Sequence, residues 1–244
     1  MIKTSDISVF VAAPSYGYSM SGNTAVSLFR LGQRFGMYGI QSGIATLSYP
    51  DVVETRNAYI SIWYFNYPMY THLLCVDSDM DFTPDLIQDM LVFDKPLIGC
   101  LYRRKCDKVD FVGLVLDGEH QSVNGFLPVQ SVGMGITLIS RDCITRMIEA
   151  YPELLHDVPE DGPPLEMFSG QQLKKVFRCF DKFPMGYANL AEDYSFCKRW
   201  RDIGGEIWAN IAHPIGHVGV KLFSGSLREE VEKDGIRLPK VAAE

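Results

Sequence analysis

The sequence has no apolar run approaching the ~20 residues that a membrane-spanning helix requires, so no span is expected. It has no CxxC pair either. Six cysteines stand singly at positions 75, 100, 106, 143, 179 and 197. Four of them lie in or beside apolar runs, which argues against a zinc site or a disulfide framework and for reduced core thiols in a cytoplasmic setting. Positive charge is in deficit, with 23 Lys and Arg against 30 Asp and Glu and a net charge of −7. No stretch forms a basic stripe, so the footprint of a dedicated nucleic-acid binder is missing, although a local patch touching nucleic acid stays open. There is no internal repeat and no low-complexity tract. The opening MIKTSDISVFVAAP has an aspartate before a short apolar run and reads as a first strand, not a signal peptide.

What is present is ordinary globular composition over 244 residues, 47% hydrophobic and 22% charged. The first half alternates strand-like and helix-like runs. Ile7–Ala13 is apolar throughout, as suits a strand buried on both faces. A Gly/Ser/Tyr-rich loop follows, and Ser21 or Asn23 is placed to cap a helix through Leu28 and Leu31 that ends at Gly36 or Gly39. Gly39–Leu47 reads as a strand, and Asp51–Asn66 as a helix with Asp51 and Glu54 as a capping box. Thr71–Val76 and Pro96–Leu101 read as strands either side of a helix over Pro84–Phe93. This alternation predicts a mostly parallel sheet with helices on both faces. The second half holds shorter, glycine-broken runs, a helix over Ser140–Ala150, a proline-rich loop over 152–170, a helix over Asp193–Ile203 and a strand over Glu206–Ile211. From Leu227 the chain is a charged tail.

Three segments could carry chemistry. In LLCVDSDMD a buried strand stops and Asp77, Asp79 and Asp81 follow at alternate positions, on one side of an extended chain. Ligands of open parallel sheets bind beyond such strand ends. Hard carboxylates without Cys or His beside them favour Mg²⁺ or Mn²⁺. The rival reading is a solvated loop, with Asp81 the best candidate for a simple helix cap. In LAEDYSFCKRWRDIGG, Glu192 and Asp193 open a helix whose dipole favours their ionised forms, which suits a general base or merely a cap. In AHPIGHVG, His217 sits between glycines and is either a ligand or an incidental loop histidine.

Taken together, the strand into DSD, the GMG segment at 133–135, the EDYSFCKRW segment and HVG resemble the GT-A type of nucleotide-sugar-dependent glycosyltransferase, as found in small stand-alone viral, phage and bacterial enzymes. The resemblance runs from Val9 to about Phe223. It implies a Rossmann-like α/β fold with a smaller mixed acceptor-side region. The domain would cover 1–226, with a nucleotide-sugar half over 1–106 and an acceptor and catalytic half over 107–226, followed by a tail over 227–244. It implies a nucleoside-diphosphate sugar donor, a glycan or other hydroxyl acceptor (a modified DNA base included), and a Mn²⁺ or Mg²⁺ cofactor held by Asp77, Asp79 and His217. Asp193 would be the base of an inverting reaction, supported by Glu192. Pro14, Tyr16, Arg56, Asn57, Asp77, Ser78, Gly133 and Gly135 would meet the donor. Arg103, Arg104 and Lys105 would meet phosphate or stay solvated, and Tyr16, Tyr18, Tyr151 and Phe168 would stack on base or sugar or else belong to the core. A cytoplasmic bacterial or virus-infected cell is the implied setting.

Other classes fit less well. A haloacid-dehalogenase-type phosphatase wants Thr or Val where Asp81 stands. A nucleotidyltransferase wants a basic residue in the loop PSYGYSMSGN, which has none. A non-catalytic sugar- or nucleotide-binding module would show no metal-dependent hydrolysis of a nucleotide sugar.

Overall fold

The computed structural model describes residues 6–159, 173–219 and 222–233. Phe168 and most of the proline-rich loop lie outside them.

The first half folds as its periodicity requires. Strand β1 (Ser8–Pro14) leads to helix α1 (Gly22–Tyr38), which Ser21 caps by accepting a bond from the Thr24 amide at 3.1 Å. Gly39 ends the helix at φ 67°, a left-handed conformation that costs glycine little. Strand β2 (Gln41–Leu47) and helix α2 (Val52–Ser61) follow. Asp51 caps α2, accepting from the amides of Val53 and Glu54. Glu54 does not complete a capping box, because its carboxylate pairs with Arg178 at 2.7 Å. Nor does α2 run to Asn66: Ile62–Asn66 widens into a π-turn. The carbonyls of Trp63 and Tyr64 in this turn, and of Tyr67 and Tyr70 beyond it, all accept bonds from the Arg141 guanidinium.

Strand β3 (His72–Val76), the short β4 (Met80–Asp81), helix α3 (Pro84–Phe93) and β5 (Leu97–Cys100) complete this half. Thr83 stands at the cap position of α3. Asp81 is not that cap; its carboxylate accepts from Asn23 and Ser27 and ties the turn to α1.

The second half is shorter-stranded. Hairpin β6 (Tyr102–Arg103) and β7 (Phe111–Val112) precedes β8 (Leu114–Val115), β9 (Phe126–Ser131), β10 (Ile136–Ser140) and helix α4 (Arg141–Ala150). Two small pairs, β11 (Leu155–Asp157) with β12 (Lys175–Phe177) and β13 (Pro184–Met185) with β14 (Ala188–Asn189), lead into helix α5 (Glu192–Asp202). Strands β15 (Ile207–Asn210), β16 (Ile215–Val218) and β17 (Leu222–Gly225) and helix α6 (Leu227–Lys233) follow.

Eight strands form one sheet in the order β2-β1-β3-β10-β5-β15-β9-β8, so both halves of the chain contribute to it. Only β10 and β9 run against the rest. Side-chain alternation divides the core between the two faces. Phe10, Ala12, Leu73 and Cys75 pack with Tyr59 of α2, Trp63 of the π-turn, Met147 of α4 and Phe196 and Trp200 of α5. Val9, Val11, Leu74 and Val76 pack with Leu31 and Phe35 of α1 and Leu86, Ile87 and Met90 of α3. Burial on both sides is why these strands read as unbroken apolar runs. Five of the six thiols are buried and all six are free. Among the described residues no helix is long and apolar enough to cross a membrane.

Candidate active site

The carboxyl end of β3 positions the first group of acids. Beyond Val76, the Asp77 amide still donates to Gly135 O at 2.9 Å, and a turn closes from Met80 N to Asp77 O. The chain then pairs as β4 against β16, with Met80 opposite His217. The Val218 amide donates to Asp79 O at 2.7 Å. This pairing carries His217, 138 positions on, to the DSD turn. Its Nε2 lies 3.6 Å from Asp79 Oδ2. Its Nδ1 is 2.8 Å from the carbonyl oxygen of Arg103, an arrangement that requires the proton on Nδ1 and turns Nε2 toward Asp79.

The second group comes from the first turn of α5. Ala191 holds the cap position of that helix, and Asp193 Oδ1 accepts from the first-turn amide of Tyr194 at 2.8 Å. Arg56 of α2, 8% exposed, joins the two groups. Its Nη1 donates to Glu192 Oε1 at 2.7 Å and its Nη2 faces both Asp77 oxygens at 3.4 Å. Burial works to lower the Arg56 pKa, but the charges of Asp77 and Glu192 outweigh it and raise it. The guanidinium is therefore a fixed positive charge between carboxylates 115 positions apart.

The pKa values of two of the acids are displaced in opposite directions. Burial works to raise Asp79, yet the bonds and charges of His217 and Lys105 overcome it and hold its pKa below the ordinary value. Lys105 Nζ contacts Asp79 Oδ2 directly. Asp193 is pushed above the ordinary value, first by burial and then by Glu192, with Arg56 opposing.

An open cleft of about 220 Å³ lies against this centre. Pro14, Tyr16, Arg56, Asp77, Ser78 and Asp79 line it, together with Tyr49, Pro50, Val52 and Thr55, which the sequence reading missed. Tyr49 and Pro50 sit in the connection after β2, where only the strand order could have placed them beside β1 and β3. Tyr16 is 72% exposed at its rim.

Several expected donor contacts are used elsewhere. Asn57 is fully buried, donating to Asp181 and accepting from the Phe180 amide, because that segment folds over α2. Gly133 and Gly135 admit the chain's own Tyr102: a Cβ on either would fall within 2.7 Å of it. The Tyr102 hydroxyl in turn accepts from the Gly135 amide at 3.2 Å. Tyr151 donates to Arg199 O on α5. Arg104 is held by Asp110 at 3.0 Å.

Of the residues expected to hold a metal, the structure joins Asp79 and His217 but turns Asp77 toward Arg56. Among the described residues no three His, Cys, Asp or Glu side chains are grouped to hold an ion as they stand. The donors nonetheless fit a divalent cation. Asp79 Oδ1 is buried with no hydrogen-bond partner among the described residues. The hard oxygen beside an oriented imidazole suits Mn²⁺ or Mg²⁺.

The sheet order and this end-of-strand site invite comparison with solved structures. The protein A197 from STIV matches over 98% of both chains, at 13% identity and a TM-score of 0.50. The chain shares the fold of A197. Two further matches are lower. A Drosophila β1,4-galactosyltransferase 7 in complex with manganese, UDP-Gal and xylobiose gives a TM-score of 0.43 at 13% identity, over 97% of this chain and 82% of that one. A glycosyltransferase involved in glycosylation of the major capsid of PBCV-1 gives 0.35 at 8% identity, over 59% and 66%. At TM-scores below 0.5 these two carry no argument about this chain. No protein-family model and no curated protein sequence matches it.

Proposed function

We propose that the chain is a metal-dependent GT-A glycosyltransferase that moves a sugar from a nucleoside-diphosphate sugar to an acceptor hydroxyl, with inversion. The observation that carries the reading is Arg56, which pairs with Asp77 on one side and Glu192 on the other and so makes one site of the DSD and EDY segments.

In this reading the cleft beside Pro14, Tyr16, Ser78 and Arg56 takes the nucleotide, and residues 1–106 form the donor side. Residues 107–226 supply the acceptor side. Asp79 and His217 would hold the cation, while Asp77 keeps its pair with Arg56. A bound divalent ion neutralises charge that develops on the departing diphosphate. Asp193 accepts the proton of the attacking hydroxyl. Its raised pKa makes it a stronger base than a free aspartate, with Arg56 opposing the rise. Glu192 fixes Arg56 and supports Asp193. A cytoplasmic setting agrees with six unpaired thiols.

The test is a panel of nucleotide sugars incubated with the protein and Mn²⁺, with and without glycan acceptors. Metal-dependent release of nucleoside diphosphate is expected. Release of pyrophosphate, hydrolysis of simple phosphate esters without a nucleotide, or no turnover of any donor would each remove the reading.

A further inference from the structure

The two oxygens of Asp79 keep different company. Oδ2 accepts from Lys105 and faces His217 Nε2 at 3.6 Å. Oδ1 is buried and has no partner among the described residues. An ammonium of the chain itself thus occupies the ground beside Asp79 and His217 that a cation would need.

The segment that delivers it is otherwise fixed. Lys105 follows β6 in the β6–β7 hairpin. Tyr102 is buried against Gly133 and Gly135, and the Arg103 carbonyl holds His217 at 2.8 Å. The Arg104 amide bonds Asp110 O at 2.9 Å, and its guanidinium reaches Tyr194 Oη at 3.3 Å. Lys105 reaches Asp79 on a four-carbon stem whose side chain stays 33% exposed. Rotation about that stem releases the ammonium without disturbing the hairpin. A lysine is a point charge on a flexible stem, easier to exchange than a forked guanidinium, and Arg56 is the fork of this site.

Resting on the reading above, we propose that Lys105 is an internal counter-cation for the Asp79–His217 pair. Lys105 and a divalent ion exclude one another at Asp79. The displaced ammonium takes the donor's diphosphate as its next anionic partner, so metal and diphosphate favour each other's binding.

The experiment compares the full-length protein with Lys105→Met, Lys105→Gln, Lys105→Arg and Lys108→Met. Binding of Mn²⁺ alone is followed by the electron paramagnetic resonance of the free ion. Lys105→Met and Lys105→Gln should bind Mn²⁺ roughly two- to fivefold more tightly than wild type, the scale of losing competition from a partly exposed ion pair. Lys105→Arg should bind no more tightly than wild type. Lys108→Met, an equal charge change on the same loop, should match wild type. Retention of labelled inorganic pyrophosphate at saturating Mn²⁺ should move the opposite way, falling several-fold in Lys105→Met. Mn²⁺ affinity unchanged or weakened in both neutral variants overturns the proposal, as does undiminished pyrophosphate retention. Failure here beside metal-dependent sugar transfer by wild type removes only the exchange. Tighter Mn²⁺ binding and weaker pyrophosphate retention in a chain that transfers no sugar keep the exchange and remove the transferase reading.

Discussion

The acids at the end of β3 and those at the start of α5 flank one arginine, yet the protein treats them differently. Asp79 sits on an open turn among Lys105 and His217, and its pKa is held down although burial works to raise it. Asp193 lies in the first helical turn, where burial and the neighbouring Glu192 push its pKa up. The same side chain is thus prepared to hold positive charge in one place and to take a proton in the other. Environments that drive two carboxyl groups apart in this way separate their roles. The contrast also makes opposite demands on stability, which allows each assignment to be attacked separately.

The largest effect is expected from Asp193→Asn, a fall in kcat of about 10²–10⁴ under saturating donor and Mn²⁺. The same variant should melt at a higher temperature near neutral pH. An aspartate whose folded pKa exceeds its unfolded one binds protons better when folded, so stability falls as pH rises through the interval above 3.8, and the amide avoids that loss. Asp79→Asn should abolish the response to Mn²⁺ and melt lower. Its folded pKa is depressed, so it contributes stability above its unfolded pKa that disappears as pH falls through the folded one. Equal shifts in melting temperature of the same sign would erase the distinction between the two regions.

Arg56→Met attacks what the regions share. It leaves Glu192 and Asp77 without their common partner, and Glu192 is only 15% exposed. The expected loss is about 3 kcal/mol of unfolding free energy, the low end for breaking a buried pair because Asp77 is partly solvated. Denaturant titration measures it, and a loss within the error of wild type would mean that Arg56 does not join the two acidic groups.

The two regions also differ in how far they could be read from the chain. Strands β1 and β3 were legible because both their faces are buried, and the ends of α1 and α2 because Ser21, Gly39 and Asp51 do local work. The acids themselves stood out at strand and helix ends. What joins them did not. No spacing rule places Arg56 between Asp77 and Glu192, or brings His217 to Asp79 by pairing β16 with β4. Lys105 was noticed as one of three basic residues after a strand, but its partner is the metal-site carboxylate, an ion pair fixed by a hairpin that local pattern does not reveal. The GMG segment misled for a related reason. A glycine that admits a ligand and one that admits a distant tyrosine look alike in sequence.

That tyrosine packs on the β3 side, within electrostatic range of Arg56 and Asp193. Gly135→Ala would set a methyl group 2.6 Å from the Tyr102 ring, and the ring also lies edge-on to His217 at 5.2 Å. A destabilisation of about 1–3 kcal/mol is expected from overpacking. Mn²⁺ affinity should weaken as His217 shifts, while the acid limb of the pH profile, set at α5, should not move. Movement of that limb would show the two regions to be mechanically one.

The smallest effect is the most direct measure of the α5 side. The attacking hydroxyl needs Asp193 ionised, so kcat/KM should fall as pH drops through its raised pKa, at a higher pH than an ordinary aspartate would give. Glu192→Gln removes the neighbouring negative charge that contributes to the rise. It also releases Arg56 from a 2.7 Å pair, leaving more of that positive charge to stabilise ionised Asp193. Both changes lower the Asp193 pKa, so the acid limb should move to lower pH, while burial, the larger cause of the rise, remains. The weaker base should also reduce kcat on the plateau. A limb that stays in place or moves upward in Glu192→Gln would assign the titration, and with it the base, to another group.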